Sequence, residues 1–379
     1  MRVLLVSFSN NPDMQHYLHN LGRALEGSGV SYRTLGSAKI CAGVQTVREM
    51  LTIPVPRPSL EPGTVNLAHH LLYAARWARE YAPDIVHFIS SHTWNVPFAL
   101  FLRRRCSCVF IHTVHDPMPH PGQKGQFFLK SYNLTITKLS DALILHNRHQ
   151  MSRFIQANKV RCPVEAVTLG HFYALDFHEI ETESAGSLLC IGRLTSYKGL
   201  DRLVLLAKTL ADRGGPRLTV AGRPAPDLNP GLLRELRAAP GINLIDMFVT
   251  EEEKTLLFRS HSLVVLTNTS MTQSGVILDA FSHGRAVVCF DIPGVREQVT
   301  HELDGFIVPA FDIDAMADAV TGLTSDLDLL NRMGRTARQT VKDRFSVDVM
   351  TRETLAVYEK TLDDKRTREK RGQHRGQPS

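Results

Sequence analysis

Short apolar runs alternate with stretches of helical period along most of the chain. Residues 2–8, 84–89, 109–114, 142–145 and 164–169 are mostly apolar, with the length and continuity of strands buried on both faces. Between them, residues 14–26, 65–80, 127–139 and 148–157 carry a period near 3.6. In the first of these, Leu18, Leu21 and Leu25 recur at spacings of three and four and mark one buried face. Strands and helices in strict alternation predict a parallel sheet covered on both sides.

The rhythm then begins again. Residues 187–191, 217–221, 243–245, 262–266, 286–290 and 306–308 read as a second set of strands, with helices over 200–212, 231–237, 251–260, 276–283 and 314–323. A polar stretch at 179–186 separates the two sets. The pattern predicts an α/β chain of two doubly wound parallel-sheet domains, residues 1–178 and 187–345, joined by a linker at 179–186. A helix over 346–362 is expected to pack back on the first domain. A basic tail at 363–379, almost without apolar residues, is expected to be disordered. Doubly wound sheets bind ligands at the carboxyl ends of their strands, so two in tandem are expected to face a central cleft.

Composition changes this picture little. A length of 379 residues suits two domains, and 43% hydrophobic with 22% charged residues is ordinary for a water-soluble chain. No apolar run approaches the ~20 residues of a membrane-crossing helix. Residues 1–7 read as a first strand rather than a leader, so a cytoplasmic location is expected. The six cysteines are scattered; Cys106 and Cys108, two apart, do not match a zinc spacing and read as reduced thiols. Charge is more informative. Residues 1–175 hold 18 Lys/Arg against 9 Asp/Glu, whereas residues 176–360 hold 20 against 26. The basic first half would suit an anionic membrane surface or an acidic acceptor, or is simply solvated. No basic stripe with interleaved aromatics points to nucleic acid.

The chemistry concentrates in residues 191–201, Ile-Gly-Arg-Leu-Thr-Ser-Tyr-Lys-Gly-Leu-Asp. A strand ends at Gly192, a loop carries Arg193 and Lys198, and a helix begins near Gly199. A guanidinium fork and a mobile ammonium beside helix amides can grip one anion such as a diphosphate. Two cations five apart in a loop also describe ordinary surface charge.

Taken with two further stretches, residues 274–288 and 304–314, this segment resembles the family-four retaining glycosyltransferases of the GT-B type, also called group 1 glycosyltransferases. The resemblance covers most of the second half in the family's order and spacing. It implies two Rossmann-like domains, and it places Arg193 and Lys198 on a donor diphosphate. Gln273, Ser274, Gly275 and Val276 would lie at the donor, with Asp279 as the ribose-binding carboxylate. The family's first glutamate falls on Met271, a departure for which Gln273 is the substitute on offer. In the first half His115, at a strand end, matches the family histidine near the transferred sugar. Asp116 would orient it or contact the acceptor, and Asn10 and Asn11 would reach the acceptor or merely shape a turn. The pair Asp312 and Asp314 reads as a helix cap rather than a metal site.

The resemblance implies a hexosyltransferase moving sugar from a nucleoside-diphosphate sugar to a hydroxyl of a glycan or lipid-linked saccharide, with retention at the anomeric carbon. Catalysis by His115, Arg193 and Lys198, with neither cofactor nor metal, is expected in the cytoplasm or at the inner face of a membrane. A GT-B scaffold without turnover, motivated by Met271, and a nucleotide-sugar epimerase are the rival readings.

Overall fold

Each apolar run becomes a parallel strand. The computed structural model describes residues 1–37, 50–53, 67–115, 117–118, 126–171, 186–226, 228–271 and 273–374. The chain divides into two compact units, Met1–Phe172 with Val347–Ser379, and Tyr173–Ser346.

In unit one the strands are β1 (Arg2–Ser7), β2 (Ser31–Ser37), β3 (Met50–Ile53), β4 (Ile85–Phe88), β5 (Val109–Val114), β6 (Ala142–Leu145) and β7 (Val164–Ala166). They lie in the order β3-β2-β1-β4-β5-β6-β7, every neighbour parallel. The winding therefore reverses between β1 and β4. Helices α1 (Pro12–Gly27), α2 (Leu67–Tyr81), α3 (Asn95–Arg103), α4 (Gln126–Leu139) and α5 (Arg148–Asn158) connect them. The two-residue period of β1 divides its side chains. Val3 and Leu5 pack with Tyr17, Leu21 and Leu25 of α1, whereas Leu4 and Val6 pack with Ala74 and Ala78 of α2 and Phe98 of α3. Each such side chain, fully buried, contributes roughly 1.5–3 kcal/mol.

Unit two repeats the plan with β8 (Ser187–Ile191), β9 (Arg217–Ala221), β10 (Ile242–Ile245), β11 (Leu263–Leu266), β12 (Ala286–Phe290) and β13 (Gly305–Val308), in the parallel order β10-β9-β8-β11-β12-β13. Its helices are α6 (Leu200–Asp212), α7 (Pro230–Ala238), α8 (Glu251–Ser260), α9 (Gly275–Ser282), α10 (Ile313–Thr324) and α11 (Leu327–Arg344). In α6 the buried residues Leu200, Leu203, Val204, Ala207 and Leu210 form one helical stripe. The two doubly wound sheets bear out the expected α/β class.

The last helix, α12 (Val347–His374), belongs to unit one, where Met350, Val357 and Tyr358 join α1 over the same face of the sheet. The Tyr358 hydroxyl lies 2.7 Å from Nδ1 of buried His87, whose Nε2 lies 2.7 Å from the Thr113 hydroxyl. The segment expected to be disordered from residue 363 is instead helical to His374. Ion pairs at helical spacing, Asp363–Arg366 (3.1 Å) and Lys365–Glu369 (3.8 Å), support it, and Lys365 Nζ donates to the Ser107 hydroxyl at 2.8 Å. Of the 179–186 linker, only Gly186 lies within the described residues. No described helix is long and apolar enough to cross a membrane.

Burial pushes the pKa of His87, His112 and His146 down to about 3, so all three are neutral in the core of unit one. His112 stacks on Phe88 at 4.3 Å. Its Nδ1 donates to the Ser140 hydroxyl at 2.8 Å, because that hydroxyl already donates to the Ile136 carbonyl. The unfolded chain takes up these protons below its ordinary pKa of about 6.5, whereas the folded chain does not until about pH 3. Stability of unit one is therefore complete above pH 6.5 and declines as pH falls towards 3, by about 2 kcal/mol per ring at pH 5. Amide exchange over β4 and β5 should speed up at pH 5 relative to pH 7 after correction for intrinsic rates. Equal protection at the two values would refute the neutral-core assignment.

Candidate active site

In unit two the winding reverses between β8 and β11, and the two motif loops leave the carboxyl ends of these strands. Close backbone approaches bind the loops together. Gly199 takes φ +63°, and a Cβ there would stand 2.1 Å from the Thr267 carbonyl oxygen. The Thr267 hydroxyl donates to the Lys198 carbonyl at 2.9 Å, and the Thr269 amide to the Tyr197 carbonyl at 2.8 Å. The loop after β9 joins them: a Cβ at Gly222, which takes φ +151°, would stand 2.1 Å from the Gly192 carbonyl oxygen, and the Leu194 amide donates to the Arg223 carbonyl at 3.0 Å. Three loops thus form one surface at the point where open α/β sheets bind ligands.

Lys198 is the unusual group on this surface. It is 6% exposed, ends a 3-10 turn (Ser196–Lys198), and donates from Nζ to the Ile191 carbonyl at 2.7 Å. Burial pushes its pKa below the ordinary lysine value. No carboxylate pairs with it among the described residues. Gly192 makes the geometry possible, since a Cβ there would lie 2.7 Å from Nζ. The ammonium is fixed rather than the mobile point charge its residue type suggested. Arg193 is exposed and makes no ion pair among the described residues.

Helix α9 starts on the same surface. Ser274 caps it, accepting from the Ile277 amide at 3.4 Å, and Gln298, fully buried, clasps the Ser274 peptide through 2.7 and 3.2 Å bonds. The Gly275 and Val276 amides carry no hydrogen bond among the described residues. Val276 Cγ2 lies 3.2 Å from the position a Gly192 Cβ would take, so α9 abuts the Lys198 loop. Asp279 sits one turn in and is ion-paired with Lys254 of α8 at 3.1 Å, both nearly buried. Burial opposes the charge of Lys254, but Asp279 and Glu251 outweigh it and hold its pKa above the ordinary value. Gln273 is half-buried beside the cap, and Met271 is turned into the core of unit two, 6% exposed. Lys254 and Gln298 were missed from sequence, since neither lies near a motif. Asp312 caps α10, accepting from the Ala315 amide at 2.9 Å, and Asp314 pairs with Arg213 at 2.6 Å.

In unit one His115 follows the end of β5. Its Nε2 donates to the Ile89 carbonyl at 2.7 Å. The edge of its ring contacts Tyr17 at 5.4 Å, and His146 lies at 5.2 Å with its own Nδ1 donating to the Val167 carbonyl at 2.8 Å. Asn10 accepts from the Ser37 hydroxyl, and the Asn11 carbonyl accepts from the Met14 and Gln15 amides at 3.1 and 3.2 Å at the start of α1. Both serve the β1–α1 turn. Asp116 lies outside the described residues. Arg193, Lys198, Gln273, Ser274, Gly275, Val276 and Asp279 are thus gathered in unit two, and His115, Asn10 and Asn11 lie at the carboxyl edge of the unit-one sheet.

Two family models match the chain in turn: a glycosyl transferase 4-like domain over residues 14–170, and glycosyl transferases group 1 over residues 185–326. The chain belongs to the group 1 glycosyltransferases. Its fold is of the GT-B type, shared with sucrose-phosphate synthase of Thermosynechococcus elongatus (TM-score 0.75, 15% identity, 96% of this chain and 100% of that one). Anabaena HepE in complex with UDP and glucose is similar over 95% of this chain and 100% of its own, with TM-score 0.72 and 14% identity. Among curated proteins, D-inositol 3-phosphate glycosyltransferase of Kribbella flavida is 28% identical over 414 residues, 94% of this chain and 95% of that protein. The chain spans 44% and 61% of the first two curated relatives it matches, about half their length.

The crossing of Gly222 over Gly192 can be tested directly. Gly222→Ala should destabilise unit two by more than about 1 kcal/mol, because a side chain there meets backbone and a positive φ together. Gly322→Ala, inside α10 with nothing within 4 Å of its Cβ, should be neutral or stabilising by about 0.5–1 kcal/mol. Denaturant midpoints compare the two; a wild-type midpoint for Gly222→Ala would rule the crossing out.

Proposed function

We propose that the chain transfers a sugar from a nucleoside-diphosphate sugar to a hydroxyl acceptor, with the donor diphosphate held on unit two. The observation that carries this reading is the buried ammonium of Lys198, unpaired with any carboxylate among the described residues, at the strand ends of the winding reversal. A cation kept in so dry a place is most stable with an anion beside it. Arg193 adds a fork suited to phosphate, and the first amides of α9 add partial positive charge. That HepE has been solved with UDP and glucose supports a nucleoside diphosphate as the ligand class.

As the anomeric C–O bond breaks, negative charge grows on the leaving phosphate. Lys198, Arg193 and the α9 amides stabilise that charge, which is the service a divalent metal would otherwise perform. The acceptor oxygen forms the new bond to the anomeric carbon from the same face, and its proton passes to the departing phosphate oxygen, so configuration is retained. Asp279, steadied by Lys254, takes the ribose hydroxyls, and Gln273 with Ser274 lies at the donor sugar. In unit one His115 is assigned to the transferred sugar. Asn10, whose side chain accepts from the Ser37 hydroxyl, and Asn11 lie at the same sheet edge and are assigned to the acceptor. The basic first half favours a saccharide acceptor linked to lipid at an anionic membrane surface, on the cytoplasmic side.

Thermal unfolding with UDP, GDP and ADP, on wild type and on Arg193→Ala, tests the donor site. A nucleotide at 100 times its dissociation constant should add about 2.7 kcal/mol and raise the midpoint by several degrees. The exposed Arg193 can be removed without disturbing the fold, and its loss should abolish most of that rise. A rise of equal size in the variant, or none in wild type with any nucleotide, would set the reading aside.

A further inference from the structure

Unit one has a second concave site that the proposed reaction does not use. Between the turn after α3, residues 103–108, and the last turns of α12 lies a cavity of about 570 Å³. Arg103, Arg104, Arg105, Lys365 and Arg368 line it, with Asp141, Asp364 and Glu369. Two of these carboxylates are already engaged. Asp141 accepts from Arg103 at 3.3 Å and from the Phe110 amide at 2.8 Å, and Glu369 lies 3.8 Å from Lys365. Arg105 rests on the Phe101 ring at 3.8 Å, an arrangement that leaves its charge uncancelled. Arg104 and Arg368 make no ion pair among the described residues. Set against Asp364 alone, these three guanidinium groups leave the cavity positive.

The cavity also has a built seam. Lys365 Nζ donates to the Ser107 hydroxyl at 2.8 Å, so α12 is already fastened to the turn on one side. Arg104 stands on the turn and Arg368 one helical turn beyond Lys365. An anion accepting from both would fasten the other side. The site lies at the amino end of β5, which starts at Val109, whereas His115 follows its carboxyl end. Six strand residues span roughly 20 Å, so a ligand here is not the sugar acceptor.

We propose that this cavity binds a phosphate group, and that occupancy pins the end of α12 to unit one. Guanidinium forks match the paired oxygens of phosphate, and three of them around a concavity suit a multiply charged group better than a lone carboxylate. The phosphate is carried either by a small soluble compound or by an anionic lipid headgroup.

The test is amide exchange on the full chain with inorganic phosphate, against chloride at the same ionic strength. At ten times the dissociation constant, exchange over residues 103–108 and 361–371 should slow by roughly tenfold. The effect should vanish in Arg104→Ala/Arg368→Ala, whose two side chains are exposed, and persist in Arg153→Ala. Sedimentation with vesicles of equal phosphatidylglycerol and phosphatidylcholine separates the sources. Recruitment of wild type but not of the double variant supports the headgroup; phosphate protection without recruitment supports the soluble compound. Protection that survives in the double variant overturns the proposal. So does the absence of both phosphate protection and Arg104/Arg368-dependent recruitment.

Discussion

A buried ammonium with no carboxylate beside it among the described residues is the constraint around which unit two is arranged. Desolvation works against the charge of Lys198, and the Ile191 carbonyl returns only part of what water supplied. The surroundings are shaped so that nothing else competes for the position. Gly192 lacks the Cβ that would collide with Nζ, and Gly199 and Gly222 let three loops meet backbone to backbone. A side chain at any of these positions would push the loops apart and admit water. The glycines therefore act on charge as well as on conformation: by keeping the ammonium dry, they raise its affinity for an anion.

Unit one solves a different problem within its sheet. The imidazoles of His87, His112 and His146 are each kept neutral by burial while hydrogen bonds to a hydroxyl or a carbonyl fix their orientation. Tyr358 reaches one of them from α12, so the chain's last helix takes part in the polar layer beneath His115 as well as in the apolar face over the sheet. His115 directs Nε2–H at the Ile89 carbonyl, which fixes the orientation of its ring.

The strands and the motif loops were legible because they rest on local pattern. Runs such as Leu188–Ile191 are apolar throughout, and the Gly-Arg and Lys-Gly pairs punctuate them. Strand β2, which lies between β3 and β1, was not legible: Ser31–Ser37 is largely polar, and its burial comes from packing against Leu18, Met50 and the two neighbouring strands. Helix α3 is short, at nine residues, and lacks a side-chain cap. The helical end of α12 depends on Ser107, 258 residues away in sequence, a contact no local pattern carries. The same holds within the site. Motif spacing located Lys198 and Asp279, but only the fold shows that the first is fixed by a carbonyl and the second is held by Lys254 from another helix.

That difference between the two charged groups bears on how the proposed donor site divides its labour. Asp279 has a charged partner and Lys198 has none among the described residues, so the carboxylate is electrostatically satisfied before a ligand arrives and the ammonium is not. A satisfied carboxylate contributes orientation, accepting hydroxyls in a geometry already set by Lys254, with little gain in charge stabilisation. The gain lies at Lys198 and the exposed Arg193, neither of which pairs with a carboxylate among the described residues. Met271, lodged in the core, adds no acceptor at the position where the sequence resemblance implies a carboxylate. On the proposed reading, therefore, affinity for the donor rests on the diphosphate end, and recognition of the sugar falls to the polar residues around the start of α9 and to His115.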